Sequence, residues 1–183
     1  DGSNDAVTTG SNIALANSSL TLSVWAKRAS SGTTDTIIGK SAALTQNNSL
    51  GFGFRDSNVF TCGFYANDLD TTTTYTDTNW HHWVCTFDVS NKARKIYRDG
   101  KLVISDTASA NFTGSGDLYI GNHPLESGEG FLGQIDEVKV YNQPLTAEQI
   151  LLDYNRGSSQ VAGALSDSST PGNDNASSRT SQS

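Results

Sequence analysis

The chain has 183 residues, with 12 Lys and Arg against 19 Asp and Glu, which gives a formal net charge of −7. This acidic balance argues against nucleic acid as a partner, and no apolar run approaches the length of about 18 residues that a membrane span needs. Charged residues make up only 17 % of the chain and glycine occurs 17 times, a composition that disfavours long helices and favours short strands joined by polar turns.

Strand patterns follow one another along most of the chain. The first covers 21–26, where Leu22, Val24 and Ala26 alternate with residues of the opposite face. Similar short runs recur, and they predict further strands over 36–39, 50–54, 59–65, 80–88, 94–98, 101–105, 117–121 and 133–141. Many short strands at close spacing are typical of an antiparallel sandwich or jelly roll.

Two local features refine this pattern. Asp99-Gly100 stands between two apolar runs and predicts a two-residue hairpin turn of type I′, which needs positive φ at both positions. In the last strand the alternation shifts at Asp136-Glu137, which indicates either a β-bulge or a strand buried on both faces.

Paired side chains in the strand predicted over 80–88 invite a functional interpretation. His81 and His82 are adjacent, so in a regular strand they point to opposite faces and cannot chelate one metal ion. We therefore expect packed, hydrogen-bonded histidines rather than a catalytic or metal site.

The two cysteines, Cys62 and Cys85, both lie in predicted strands with aromatic neighbours. They could form a cross-strand disulfide or remain two buried thiols, because pairing cannot be derived from sequence alone. Neither has a CxxC partner, which argues against a zinc ligand or a nucleophile.

One helix is predicted at about 146–155. Thr146 and Gln149 form a capping box, and Gly157 is placed where a helix commonly ends. The remaining residues, 158–183, are mostly Ser, Thr, Asn, Gly and Asp and are predicted to form a linker or tail after a single domain over 1–157. The fold class expected is therefore all-β, a two-sheet antiparallel jelly-roll sandwich with one short C-terminal helix.

The order of these segments closely resembles the LamG-like (laminin G-like) domains of the concanavalin A-like lectin/glucanase superfamily. The segments that carry the resemblance are 1–5, 22–25, 80–84, 96–101, 120–122, 131–142 and 145–150. The resemblance implies a non-catalytic, extracellular or cell-surface module that binds a glycan or glycoprotein beside neighbouring domains of a larger protein. The alternative is a structural module that assembles a surface filament, fibre or virion without a soluble ligand.

Related jelly rolls often hold one structural calcium where the first strand meets the last, and the resemblance therefore implies a possible calcium site here. Asp1, Asn4 and Asp136, with backbone carbonyls, are the expected ligands, since Ca²⁺ prefers six to eight hard oxygen atoms. The alternative is that Asp136 only accepts backbone N–H groups at a bulge.

Catalysis is not expected, although the glucanase relatives use paired acids. Asp136 and Glu137 are adjacent and should point to opposite faces, while Glu126 and Glu129 stand in a Gly- and Ser-containing loop that cannot fix two acids closely enough. Ligand binding is instead expected in the loops over 65–75 and 122–129 and at the turn that contains Arg55, with ordinary solvated loops as the alternative. The candidate residues are Arg55, Asn67, Asp68, Tyr75, Asn122, His123 and Glu126.

Overall fold

The computed structural model describes residues 5–9 and 13–165 of the chain. Within these ranges, eleven strands precede one helix. In chain order they are β1 (Val7–Thr8), β2 (Leu20–Arg28), β3 (Asp35–Ser41), β4 (Ser49–Phe54), β5 (Val59–Gly63), β6 (Asp68–Thr74), β7 (His81–Phe87), β8 (Ala93–Arg98), β9 (Lys101–Thr107), β10 (Leu118–Ile120), β11 (Gly133–Tyr141) and α1 (Ala147–Leu165).

The strands form two sheets that pack face to face. One has six strands in the order β1-β10-β3-β4-β5-β6, and the other has five in the order β11-β2-β7-β8-β9. Neighbouring strands pair antiparallel in both sheets. The structure confirms the predicted two-sheet antiparallel sandwich.

Alternate residues of each strand fill the space between the sheets. Leu22 and Val24 of β2 and Phe52 of β4 are fully buried there. At the centre, the rings of Phe60 and Trp83 stack with their centroids 3.9 Å apart. Burial of this many large apolar side chains is the main source of stability for such a sandwich.

A disulfide crosses the core from one sheet to the other. Cys62 of β5 and Cys85 of β7 are bonded, with their Cα atoms 6.3 Å apart. Of the two alternatives that the sequence left open, the structure has the disulfide, but it joins facing sheets rather than neighbouring strands. The bond therefore holds together the two layers between which most of the apolar surface is buried.

One segment differs from the sequence interpretation, and in another the structure shows which of two alternatives occurs. The region after Tyr65, interpreted as loop, contains strand β6, because Leu69 and Thr71 both point into the buried side of the sheet. In β11 the pairing register shifts between Asp136 and Lys139, and Glu137 has a φ of 50°. The bulge, one of the two alternatives, is thus the one observed.

Helix α1 begins as its capping box predicts and ends later than expected. The Gln149 N–H donates to Thr146 Oγ1 at 3.3 Å, and the Thr146 N–H donates to Gln149 Oε1 at 2.9 Å. The helix continues through Gly157 to Leu165, so residues 158–165 of the predicted tail are helical. Gly157 is needed for close packing instead, since a Cβ there would lie 2.1 Å from Trp25 Nε1.

The helix does not resemble a membrane segment. Among the described residues, no helix is both long enough and apolar enough to cross a bilayer.

Candidate ligand-binding groove

The outer face of the six-stranded sheet carries very small residues at its centre. Alternation along β4 places Phe52 in the core and leaves Gly51 outside. Gly51 pairs with Gly39 of β3 on one side and with Gly63 of β5 on the other. A Cβ added at Gly51 would meet nothing within 4 Å, so this part of the sheet is open backbone.

A concavity of about 380 Å³ lies above this surface, and we refer to it as the glycine-floored groove. Its floor comes from β4 and β5, one wall from the end of β4 and the β5–β6 hairpin, and the other wall from the segment between β10 and β11. The residues that line it include Thr36, Ser49, Gly51, Gly53, Arg55, Thr61, Gly63, Tyr65, Asp68, His123, Glu126 and Glu129.

Arg55 forms a fixed polar wall of the groove. Its Nε donates to both carboxylate oxygens of Asp70 at 2.9 Å, and its Nη2 donates to Asp68 Oδ2 at 3.0 Å. A further hydrogen bond reaches Thr61 Oγ1 at 3.3 Å. These bonds hold the guanidinium in one orientation while part of it stays accessible to the groove.

An exposed aromatic side chain stands at the rim on the same wall. Tyr65 and Ala66 have φ values of 60° and 56°, and the Phe64 N–H donates to the Asn67 carbonyl at 3.1 Å to close the turn. Left-handed backbone at a bulky residue is strained, by about 1–3 kcal/mol, and such strain concentrates at functional sites. Tyr65 is 40 % exposed, so the strained turn presents its aromatic ring to solvent.

His123 anchors the opposite wall to the floor. The Leu125 N–H donates to its Nδ1 at 3.3 Å, so Nε2 carries the proton and donates to Ser49 Oγ at 2.8 Å. Burial lowers the pKa of His123, although the Glu126 carboxylate favours the charged form. The imidazole is therefore neutral at physiological pH and serves as a hydrogen-bonded support.

Glu126 and Glu129 form an acid pair on that wall. Burial raises the pKa of Glu129, and the hydrogen bond and negative charge of Glu126 raise it further, to about 7, against a smaller lowering by Thr36 and Arg55. The Glu129 carbonyl also accepts the Thr36 N–H at 2.9 Å, which ties this segment to β3. Near neutral pH the pair therefore holds a proton part of the time.

The structure places four of the seven sequence-predicted binding residues in one site. They are Arg55, Asp68, His123 and Glu126. Tyr65 and Glu129 stand at the ends of the two loops, 65–75 and 122–129, in which the sequence predicts binding, whereas the sequence did not indicate the glycine floor. The alternation Leu50-Gly51-Phe52-Gly53-Phe54 was the available signal, because glycines on one face of a strand leave room for a close approach.

The other three predicted residues lie elsewhere. Asn67 is 8 % exposed, and its Nδ2 donates to Asn47 Oδ1 at 2.7 Å, so its role is to hold loops together. Tyr75 packs edge-on against Trp83, with centroids 4.9 Å apart. Asn122 lines a separate cavity of about 140 Å³.

The predicted calcium ligands are only partly described. Asp1 and Asn4 lie outside the described residues. The Asp136 carboxylate accepts the Glu137 N–H at 2.8 Å and lines, with Asp5, a cavity of about 570 Å³ at the sandwich edge. Within residues 5–9 and 13–165, no three His, Cys, Asp or Glu side chains are grouped to hold a metal. The calcium site stays a prediction.

A Ser–His–Asp cluster lies on the other side of the molecule, beneath helix α1. Ser23 Oγ is 2.9 Å from His82 Nε2 and donates to Asp153 Oδ2 at 3.0 Å. A catalytic triad needs the Asp on Nδ1 of the histidine, but Nδ1 of His82 has no hydrogen-bond partner among the described residues. Because His82 is also only 1 % exposed, the cluster supports the helix rather than a reaction.

Solved structures show the same fold at low sequence identity. A candidate carbohydrate-binding protein from Bacteroides ovatus ATCC 8483 has a TM-score of 0.63 and 17 % identity, over 80 % of this chain and 43 % of that one. This chain thus spans less than half the length of that protein. Domain 4 of AbnA, an extracellular arabinanase from Geobacillus stearothermophilus, has a TM-score of 0.60 and 21 % identity, over 78 % and 68 %.

A third similar structure is the CBM40 of the Ruminococcus gnavus IT-sialidase, with a TM-score of 0.62 and 14 % identity over 76 % of this chain and 84 % of that one. A search of the curated proteins finds no match. A laminin G family model matches residues 1–151, which confirms the resemblance seen in the sequence. The chain is a member of the concanavalin A-like lectin/glucanases superfamily.

Proposed function

We propose that this chain is a non-catalytic carbohydrate-binding module that holds a glycan in the glycine-floored groove. The observation that carries the proposal is the combination of an open backbone floor at Gly51 with an exposed aromatic ring, Tyr65, and fixed polar walls.

Each part of the groove suits one part of a sugar ring. The ring has apolar faces, which pack against an aromatic side chain such as Tyr65. Its hydroxyl groups need donors and acceptors, which Arg55, Asp68 and the acid pair supply. The volume of about 380 Å³ lies within the range of small-molecule sites.

The similar structures support a glycan as the ligand. Domain 4 of AbnA is a complex with arabinotriose, and the Ruminococcus gnavus CBM40 has been solved with α2,3 and α2,6 sialyllactose. At 21 % and 14 % identity these likenesses concern the fold, so they indicate the ligand class only in combination with the groove.

The geometry of the acids supports binding rather than hydrolysis. Glycosidases keep their two carboxyl groups about 5–9.5 Å apart across the scissile bond. Glu126 and Glu129 stand in one segment on the same wall of the groove, so they do not face each other across a bound sugar.

The disulfide supports an extracellular or cell-surface location. Cys62 and Cys85 are joined across the core, and such bonds form and persist in oxidising compartments. A module of a larger secreted or surface protein fits this observation.

The proposal is tested with a glycan array, followed by calorimetry on the glycans that bind. Gly51→Trp places a ring in open space above the floor and should abolish binding without loss of fold. Tyr65→Ala should weaken binding about tenfold or more, equal to about 1.4 kcal/mol. Leu102→Trp is the matched control, because Leu102 is exposed on the other sheet, and it should bind as the wild type does.

Two outcomes would overturn the proposal. One is an array on which the folded protein binds no glycan. The other is a bound glycan whose affinity is unchanged by both Gly51→Trp and Tyr65→Ala. Self-association of the chain in the absence of glycan binding would favour the structural assembly module instead.

A further inference from the structure

We infer that the glycine-floored groove selects its glycan by charge, favouring amino sugars over neutral sugars and rejecting acidic sugars such as uronic or sialic acids. The inference rests on the proposed glycan-binding function and names the class of sugar that the same site takes.

The positive charge in the groove is already compensated. Among the described lining residues, Arg55 is the only Lys or Arg. Its Nε and Nη2 are engaged by the carboxylates of Asp70 and Asp68, so one guanidinium faces two carboxylates. A ligand carboxylate that approached Arg55 would have to compete with both of these at hydrogen-bond distance.

The opposite wall adds further negative charge. Glu126 and Glu129 both line the groove, and His123, which lies 3.9 Å from Glu126, is buried, which lowers its pKa and disfavours a positive charge there. An acidic sugar between the walls would therefore face carboxylates from both sides. Like charges at short range repel each other, and they do so more strongly where water is excluded.

An ammonium group on the sugar would be attracted by the same carboxylates. Glu126 and Glu129 line the same wall of the groove, so a sugar amine beside them can donate to carboxylate oxygens of both. The bound cation favours the charged form of Glu129, so the Glu129 proton leaves its O–H bond and passes to the buffer. Binding of an amino sugar should therefore release protons, whereas binding of a neutral sugar should not.

The experiment compares β-1,4-linked tetrasaccharides of glucosamine, glucose and glucuronic acid by calorimetry at pH 6. For the wild type we expect glucosamine to bind about tenfold more tightly than glucose, and glucuronic acid not to bind. Repeating the glucosamine titration in buffers of different ionisation enthalpy should show a net release of protons.

The double variant Glu126→Gln/Glu129→Gln separates charge recognition from shape. Its affinities for the glucosamine and glucose tetrasaccharides should become equal within about twofold, and the proton release should be lost. Glu148→Gln removes one exposed charge at the start of helix α1 and is the matched control. It should leave the preference for glucosamine and the proton release unchanged.

Failure of the inference and failure of the proposed function give different results. If an acidic glycan binds, or if glucosamine shows no preference over glucose while some glycan still binds in a manner abolished by Gly51→Trp, the inference is wrong and the proposed function stands. If no glycan of any charge binds, both are wrong.

Discussion

The two outer faces of the sandwich are built by the same strand alternation, but one is open to solvent and the other is covered by the helix. On the six-stranded sheet the outward residues at the centre are glycines, Ser49 and Thr61, and the face is open. On the five-stranded sheet they include Trp25, His82 and Val84, and helix α1 covers them.

Large outward side chains give the closed face a second, smaller core. Val84 and Tyr97 pack with Ile150 of the helix, and the rings of Trp25 and Tyr154 stack with centroids 5.6 Å apart. Polar groups at the same interface are paired, as when Lys139 Nζ donates to Asp153 Oδ1 at 2.6 Å. Burial of this kind favours stability and leaves no room for a ligand.

The open face shows the converse. Gly51 contributes no side chain, so nothing covers the backbone there. Glycine within a strand costs conformational entropy and loses packing, and the strained turn at Tyr65 adds to that cost. In this molecule, therefore, burial on one face contributes stability, whereas the other face is less stabilising and leaves the candidate groove open.

The largest effect expected from this comparison comes from placing the same side chain on each face. Gly157→Leu would drive its Cβ to within 2.1 Å of Trp25 Nε1 and force the helix away from β2. We expect a loss of about 2–3 kcal/mol in the free energy of unfolding, as for overpacked cores. At this chain length that lowers Tm by about 4–12 °C, measured by thermal unfolding.

Gly51→Leu is the matched substitution on the open face. Its Cβ meets nothing within 4 Å, so the free energy of unfolding should stay within about 0.5 kcal/mol of the wild type while glycan binding is lost. Equal destabilisation by the two variants would contradict the distinction between a covered and an open face.

An intermediate effect is expected from removing one carboxylate on each face. Asp153 is hydrogen-bonded to Ser23 and Lys139 under the helix, so Asp153→Ala should cost about 1–3 kcal/mol at pH 7. Asp70 is 41 % exposed beside Arg55, so Asp70→Ala should cost no more than about 1 kcal/mol. Urea unfolding of both variants measures the two costs.

The pH dependence of the Asp153→Ala effect gives a second check. Burial opposes the charge of Asp153, but its bonds to Lys139 and Ser23 prevail and lower its pKa below the ordinary 3.8. A lowered pKa stabilises the folded state above pH 3.8, and that contribution is lost as the pH falls through the folded-state pKa. The difference between variant and wild type should therefore shrink towards pH 3, and a constant difference would argue against an ionic role.

The sequence predicts the scaffold better than the site, for a physical reason. Alternation in 21–26 and the Asp99-Gly100 turn are local signals, and both are confirmed, with φ values of 52° and 74° at the turn. The groove depends on side chains from separate strands and loops, such as Arg55 and Glu129, whose proximity is set by sheet order. Gly157 shows the same limit, because its close contact with Trp25 spans 132 residues of chain and cannot be distinguished locally from a helix end.

The smallest expected effect concerns the acid pair on the open face. Burial and the neighbouring Glu126 raise the pKa of Glu129 to about 7 from an ordinary 4.5. A raised pKa means that the contribution of Glu129 to stability is present below pH 4.5 and lost as the pH rises through 7. Glu129→Gln should therefore be more stable than the wild type at pH 8, by less than about 1 kcal/mol for so accessible a pair, and this advantage should disappear by pH 4.

Glu148 at the start of helix α1 provides the opposite sign on the closed face. Hydrogen bonds from its own backbone N–H and from Thr146 lower its pKa below the ordinary 4.5, so its charge favours folding at pH 8. Glu148→Gln should accordingly lower Tm at pH 8, where Glu129→Gln raises it. Thermal unfolding of both variants at pH 4 and pH 8 makes the comparison, and a lower Tm at pH 8 for Glu129→Gln as well would contradict the raised pKa of Glu129.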